Sequence, residues 1–276
     1  MTAIAPTIER DRTLRRELGT SARNWIPAIV VFALGIVAWQ WILPDLLHVK
    51  RFLLPRFSDV MSTFWAERGT LWSGAWLTFQ DALAGFAIGC GLAFLSALLL
   101  ARWRPLGNAL MPYMIAANAV PIIAFAPITT AWFGIFSPWS KITIVAVLCF
   151  FPVLVNTLRG LTSVDPESIE LMHSYAASEV EIFRRVRIPT SLPFVFTALK
   201  VASVLAMIGA IVGDYFGAST RSLGVQVEAA VSIAQYETAW AAILVASILG
   251  IVFYGAIALV ERFALSWHPS TRGAGE

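Results

Sequence analysis

Charge is what this sequence has least of. Only 13% of its 276 residues are Asp, Glu, Lys or Arg, against 58% apolar residues, and the mean hydropathy is +0.73. That balance places the chain in the membrane class before any motif is read, and no nucleic-acid partner is expected. Lysine is especially scarce: Lys50, Lys141 and Lys200 follow Val, Ser and Leu. The Gly-Lys-Ser/Thr of a phosphate-binding loop is therefore missing, and any ATP hydrolysis has to come from another polypeptide. Cysteine numbers two, Cys90 and Cys149, each inside an apolar run, where buried thiols are expected rather than a disulfide. His48, His173 and His268 lack ligand spacing, so no metal site is expected. The first twenty-four residues are polar and hold Arg10, Arg12, Arg15, Arg16 and Arg23, which is no signal-peptide pattern. Period-two alternation is absent from the apolar runs, which excludes a strand barrel.

Six apolar stretches are present, over residues 25–47, 76–100, 109–133, 141–158, 194–216 and 238–260. A hydrocarbon core of about 30 Å takes roughly 20 helical residues, so the sequence predicts an all-α membrane protein of about six transmembrane helices. The basic residues orient it. With the first segment inside, thirteen arginines fall on cytoplasmic segments, and Lys50, Arg51, Arg56, Arg68, Lys141 and Arg221 fall outside. Both termini then face the cytoplasm. The predicted organisation is a tail over 1–24, a membrane domain over 25–262 and a tail over 263–276. Lys200, just inside the fifth stretch, is expected to snorkel to the cytoplasmic surface. Outside, Ser58 to Trp65 reads as a short amphipathic helix capped by Ser58, with Met61, Phe64 and Trp65 on one face. Trp65, Trp72 and Trp76 suit an interfacial belt.

One polar insert, 162–193, falls on the cytoplasmic side. Asp165, Pro166 and Glu167 form a helix start: capping carboxylate, first-turn proline and first-turn acid. Ser178 and Glu181 form a capping box that opens a second helix bearing Val180, Phe183 and Val186. Pro189 and Pro193 are expected to stop that helix and set the re-entry angle. Two short helices bury little by themselves, so a partner groove taking Met172, Tyr175 and Phe183 is expected. Within the spans, Asn118, Pro121, Thr129, Thr130 and Asn156 mark a candidate path, because prolines free backbone carbonyls that are tolerated beside a cavity. Asp214 is expected near the external end of the fifth span, as an ion pair, a cap or a gate. Gly85, Gly89 and Gly91 are expected to allow close helix packing.

The insert resembles the cytoplasmic loop of permease subunits of bacterial binding-protein-dependent ABC importers. That loop reads Glu-Ala-Ala, three residues, Gly, nine residues, Ile, one residue, Leu-Pro. Here the positions hold Glu170-Leu171-Met172, Ala176, Val186 and Ile188-Pro189. Alanine at 176 argues against a left-handed residue there, since glycine tolerates positive φ and alanine does not. Phe52-Leu53-Leu54-Pro55, Trp132-Phe133-Gly134, Phe151-Pro152 with Asn156-Thr157, and the run from Ile208 to Asp214 before Leu223-Gly224 resemble the nitrate, sulfonate and taurine branch. Permeases for thiamine precursors and riboflavin are related to it.

The resemblance implies a type I importer fold, with coupling helices between spans 4 and 5 and a likeness-based docking set of Glu170, Leu171, Met172, Tyr175, Ala176, Ser178, Phe183 and Pro189. It implies cytoplasmic ATPase subunits that bind ATP and Mg, a periplasmic or lipid-anchored substrate-binding protein, and a homodimer of permeases. This chain itself is expected to bind no cofactor. The near-absence of basic groups in the spans points to a neutral or aromatic solute. The alternatives are a secondary transporter or channel, and a membrane scaffold that recruits a soluble enzyme.

Overall fold

The computed structural model describes residues 26–42, 53–119, 121–217 and 221–265, all helices and connecting turns. The predicted tail 1–24, most of 263–276, and Phe52 of the external motif lie outside the described residues. Helix α1, Ile26–Trp41, widens into a π turn at Ala38–Ile42. Then follow α2 (Phe57–Ala66), α3 (Arg68–Arg102), α4 (Arg104–Ala117), a 3₁₀ turn at Ile122–Phe125, and α5 (Ala126–Phe133). After these come α6 (Pro138–Thr162), α7 (Pro166–Ser174), α8 (Glu179–Ile182), a second π turn at Phe183–Arg187, and α9 (Ile188–Phe216). Helices α10 (Leu223–Ser232) and α11 (Tyr236–Ala264) complete the order. Among the described residues, four helical segments have the length and apolarity to cross a bilayer: α3, α6, α8 through α9, and α11.

Three of these, α3, α6 and α9, form the central core, and each meets the others along a stripe with four-residue spacing. On α3 it is Gly85, Gly89, Ala93, Ala97 and Ala101; on α9 it is Ala198, Ala202, Ala206 and Ala210. On α6, between them, it is Lys141, Val145, Cys149, Val153, Thr157 and Leu161, all buried. Small residues at every fourth position let helix backbones approach closely in a membrane, where packing rather than hydrophobicity drives association. The approach is so close that a β-carbon at Gly89 would lie 2.3 Å from the Ala146 carbonyl oxygen. Gly91, grouped with Gly85 and Gly89 in the sequence reading, instead faces open space. It sits off the four-residue stripe. Cys90 and Cys149 are free and buried in this core.

Two further expectations change. The third apolar stretch is not one helix. Pro112 and Pro121, which have no N–H to donate, accompany a sequence of α4, a break that begins at Asn118, a 3₁₀ turn and α5. Ser58 does not cap α2: it lies in the first turn, and the cap position is Arg56. Gln40 of α1 supplies the missing acceptor, its Oε1 taking the Ser58 N–H at 3.0 Å. Val60 is the buried residue of α2, while Trp65, Trp72 and Trp76 are exposed, as a membrane belt requires.

Candidate functional site

The polar element at 162–193 is built by its own caps. Asp165 accepts the Glu167 N–H at 3.1 Å and starts α7. Ser178 accepts the Glu181 N–H while the Glu181 carboxylate takes the Ser178 N–H at 3.0 Å, a complete capping box. Between them, α7 ends in a Schellman motif: the Ala177 N–H donates to the Met172 carbonyl and the Ala176 N–H to that of His173. Ala176 has φ of 54°. The left-handed residue is therefore present despite alanine, and its strain is held by the two bonds that close the turn. Ala234 repeats the device after α10, at φ of 61°.

Pro189 and Pro193 do not stop the second helix. The π turn at Phe183–Arg187 takes up one extra residue just before Pro189, leaving that proline in the first turn of α9 where its missing N–H is tolerated. Pro193 lies inside α9, and the element runs unbroken into the span. Ile182, which the sequence reading passed over, is fully buried and anchors the element. Phe183 is half-buried against the central core and Met172 is half-buried. What the element offers outward is different: Leu171, Tyr175 and Val180 are 56%, 77% and 75% exposed. Leu171 and Tyr175 share one helix face. Glu170, Ala176 and Ser178 are exposed beside them, and Pro189 is half-buried. A cavity of about 840 Å³, lined in part by Trp103, Ile169, His173 and Phe183, separates the element from the adjoining ends of α3 and α4.

At the opposite end of the same three spans lies a buried charge cluster. Lys141 donates to Asp214 Oδ1 at 3.1 Å and pairs with Asp81 at 2.5 Å. Asp214 Oδ2 accepts from Thr78 Oγ1 at 2.8 Å and from the Gly224 N–H at 3.2 Å, and Thr78 Oγ1 in turn accepts the Leu223 N–H at 3.0 Å. Asp214 is fully buried. A β-carbon at position 224 would lie 2.5 Å from that of Asp214, so only glycine admits the bond. Lys141 and Asp214 are buried and Asp81 half-buried because each finds a partner; a lone charge at that depth would not be tolerated. The cluster joins α3, α6 and α9 and seats the start of α10. Lower on α9, Lys200 does not snorkel freely but pairs with Glu261 of α11 at 2.7 Å.

The candidate path residues are spread over separate elements. Asn118 and Pro121 are exposed at the break after α4; Thr129 and Thr130 of α5 both donate to the Ala126 carbonyl, and Asn156 of α6 donates to that of Pro152. Among the described residues, no hydrogen bond joins any two of them.

Residues 85–265 match the family described as the binding-protein-dependent transport system inner membrane component. The chain is 36% identical over 183 residues to the formylaminopyrimidine transport permease protein ThiX of Halalkalibacterium halodurans, covering 66% of this chain and 72% of ThiX. It is 30% identical over 243 residues to the riboflavin transport system permease protein RibX of Chloroflexus aurantiacus, covering 87% and 90%. Against the putative aliphatic sulfonates transport permease protein SsuC of Escherichia coli it is 28% identical over 260 residues, covering 92% and 97%. The fold is similar to that in a crystal structure of an amino acid ABC transporter with histidines, at a TM-score of 0.58 and 19% identity, covering 71% of this chain and 95% of that one.

Proposed function

The chain belongs to the family of binding-protein-dependent transport system inner membrane components, and from that premise we propose that it passes a neutral heteroaromatic solute, of the pyrimidine or flavin kind, into the cytoplasm. As a member it is the multi-pass permease subunit of an ABC importer and not an enzyme. The family description names a binding protein, and membership of the family implies a separate ATPase.

The ATPase binds ATP and Mg and docks on the 162–193 loop, with Leu171, Tyr175 and Val180 entering its groove. Glu170 and Ser178 support that face from either side of the Ala176 turn. Met172, Phe183 and Pro189 fix the element to the membrane domain. The observation that carries this is an exposed apolar face on an otherwise polar, doubly capped element continuous with a span. The thirteen-to-six split of basic residues supports cytoplasmic termini, with tails at 1–24 and 263–276 around the 25–262 membrane domain. Two copies face each other around a path lined by Asn118, Pro121, Thr129, Thr130 and Asn156, while Asp214 holds the external ends of the spans together. Alternating access follows if the closed and open ATPase states bind the loop with different free energies.

Solute choice follows from charge. Lys141 and Lys200, the two lysines in the described spans, are both held by carboxylates, so neither is free to attract nitrate or a sulfonate. Uptake assayed in vesicles holding the ATPase and the binding protein tests the assignment. A thermal-shift screen of the binding protein against pyrimidines, riboflavin, taurine, sulfonates and nitrate tests the solute. Stabilisation by sulfonate alone would overturn the heteroaromatic reading.

A further inference from the structure

At the same end of the spans as the charge cluster, but lined by other residues, an apolar groove of about 470 Å³ opens between the start of α3 and the face of α11. Its walls come from two helical spacings: Arg68, Gly69 and Trp72 on α3, Val245 and Ile248 on α11, with Trp65 of α2 at the mouth. Arg68 is the one charged residue among those lining it. Its Nη1 donates to the Trp65 carbonyl at 3.0 Å, which fixes a guanidinium with five N–H groups at the mouth. Trp65 and Trp72 are 60% and 67% exposed beside it. A β-carbon at Gly69 would meet nothing within 4 Å, so the groove is open there to whatever lies alongside the span.

We propose that this groove is a phospholipid site, in which one acyl chain lies between α3 and α11 and the phosphate is bound by Arg68. The chemistry is complementary at both ends: an apolar trough suits a hydrocarbon chain, and a planar guanidinium suits a phosphodiester, which it can bind through two parallel N–H groups. Indole rings at the mouth mark the depth at which headgroups lie. Glu67, the nearest carboxylate in sequence, accepts from Thr238 of α11 at 3.1 Å and is not among the lining residues. The site needs only that α3 and α11 cross a bilayer, so its failure would leave the permease assignment standing.

The test is native mass spectrometry of the purified full-length protein titrated with palmitoyl-oleoyl phosphatidylglycerol, and separately with dioleoylglycerol, which has the chains but no phosphate. Wild type should retain one phosphatidylglycerol at least tenfold more tightly than the diacylglycerol. Arg68→Gln should abolish that preference. Gly69→Leu, whose side chain enters open space, should weaken retention of both lipids about tenfold, and Gly69→Ala should change neither. Thermal unfolding of each variant checks folding; if Gly69→Leu fails to fold, Arg68→Gln alone decides. Equal retention of phosphatidylglycerol by wild type and Arg68→Gln overturns the proposal. So does loss of a dimer in Gly69→Leu with lipid retention unchanged, which would give the groove to a second copy.

Discussion

The capped polar element at 166–189 and the charge cluster around Lys141 sit at opposite ends of the same spans and are held in opposite ways. The first is largely exposed, and its caps close bonds between residues at most five apart. The second is largely buried and made of bonds that reach across 73, 136 and 145 residues. A locally determined element keeps its shape while its outer side chains change, as a surface read by a partner must. A cluster of buried ions tolerates no missing member, since each charge depends on the others. One end is therefore built to be touched and the other to stay put.

The largest effect should come from breaking the second end. Lys141→Met leaves two carboxylates facing each other without their cation, and should cost about 3–5 kcal/mol, read as a lowered thermal midpoint in detergent. Asp214→Asn should cost less than that, and Asp81→Asn least of the three, because it leaves Lys141 and Asp214 as a neutral pair. If Asp81→Asn proves as damaging as Lys141→Met, the cluster is not organised around Asp214. Next comes the docking face. Leu171→Ser combined with Tyr175→Ala should cut vesicle uptake at least tenfold and abolish ATPase co-purification, while stability stays within about 0.5 kcal/mol, as for exposed substitutions generally. A large fall in stability would erase the contrast between the two ends. Ser178→Ala removes one cap and should cost about 1 kcal/mol locally, detectable as faster hydrogen exchange over 179–182. Ala176→Gly should do the reverse, relieving about 1 kcal/mol of left-handed strain with uptake unchanged; slower exchange over 172–177 is the readout.

The same contrast decides what could be read from the chain alone. Asp165, Ser178 and Glu181 were legible because a cap needs only neighbours in sequence. Asp214 was expected near one end of its span, where the helix Ile188–Phe216 holds it, yet its partners were not foreseen. Lys141 reads as an ordinary basic residue at a membrane boundary, and Thr78 carries no signal until α3 and α9 are brought together. The four-residue stripes were in view, though only the glycines stood out; alanines at 198, 202, 206 and 210 are too common in apolar runs to draw notice. Two local rules failed for physical reasons. A Schellman turn can hold alanine at positive φ when both its bonds close, and a π turn can make room for a proline that would otherwise end a helix.

That π turn at Phe183–Arg187 has a mechanical consequence. Each residue of an α-helix advances the chain by about 100° around its axis, so one residue accommodated by widening shifts everything before it by about that angle. The bearing of Leu171 and Tyr175 around the axis of α9 is thus set by a single residue, as a crank is set on its shaft. Deleting one residue from the turn should carry that face about a quarter-revolution round the axis.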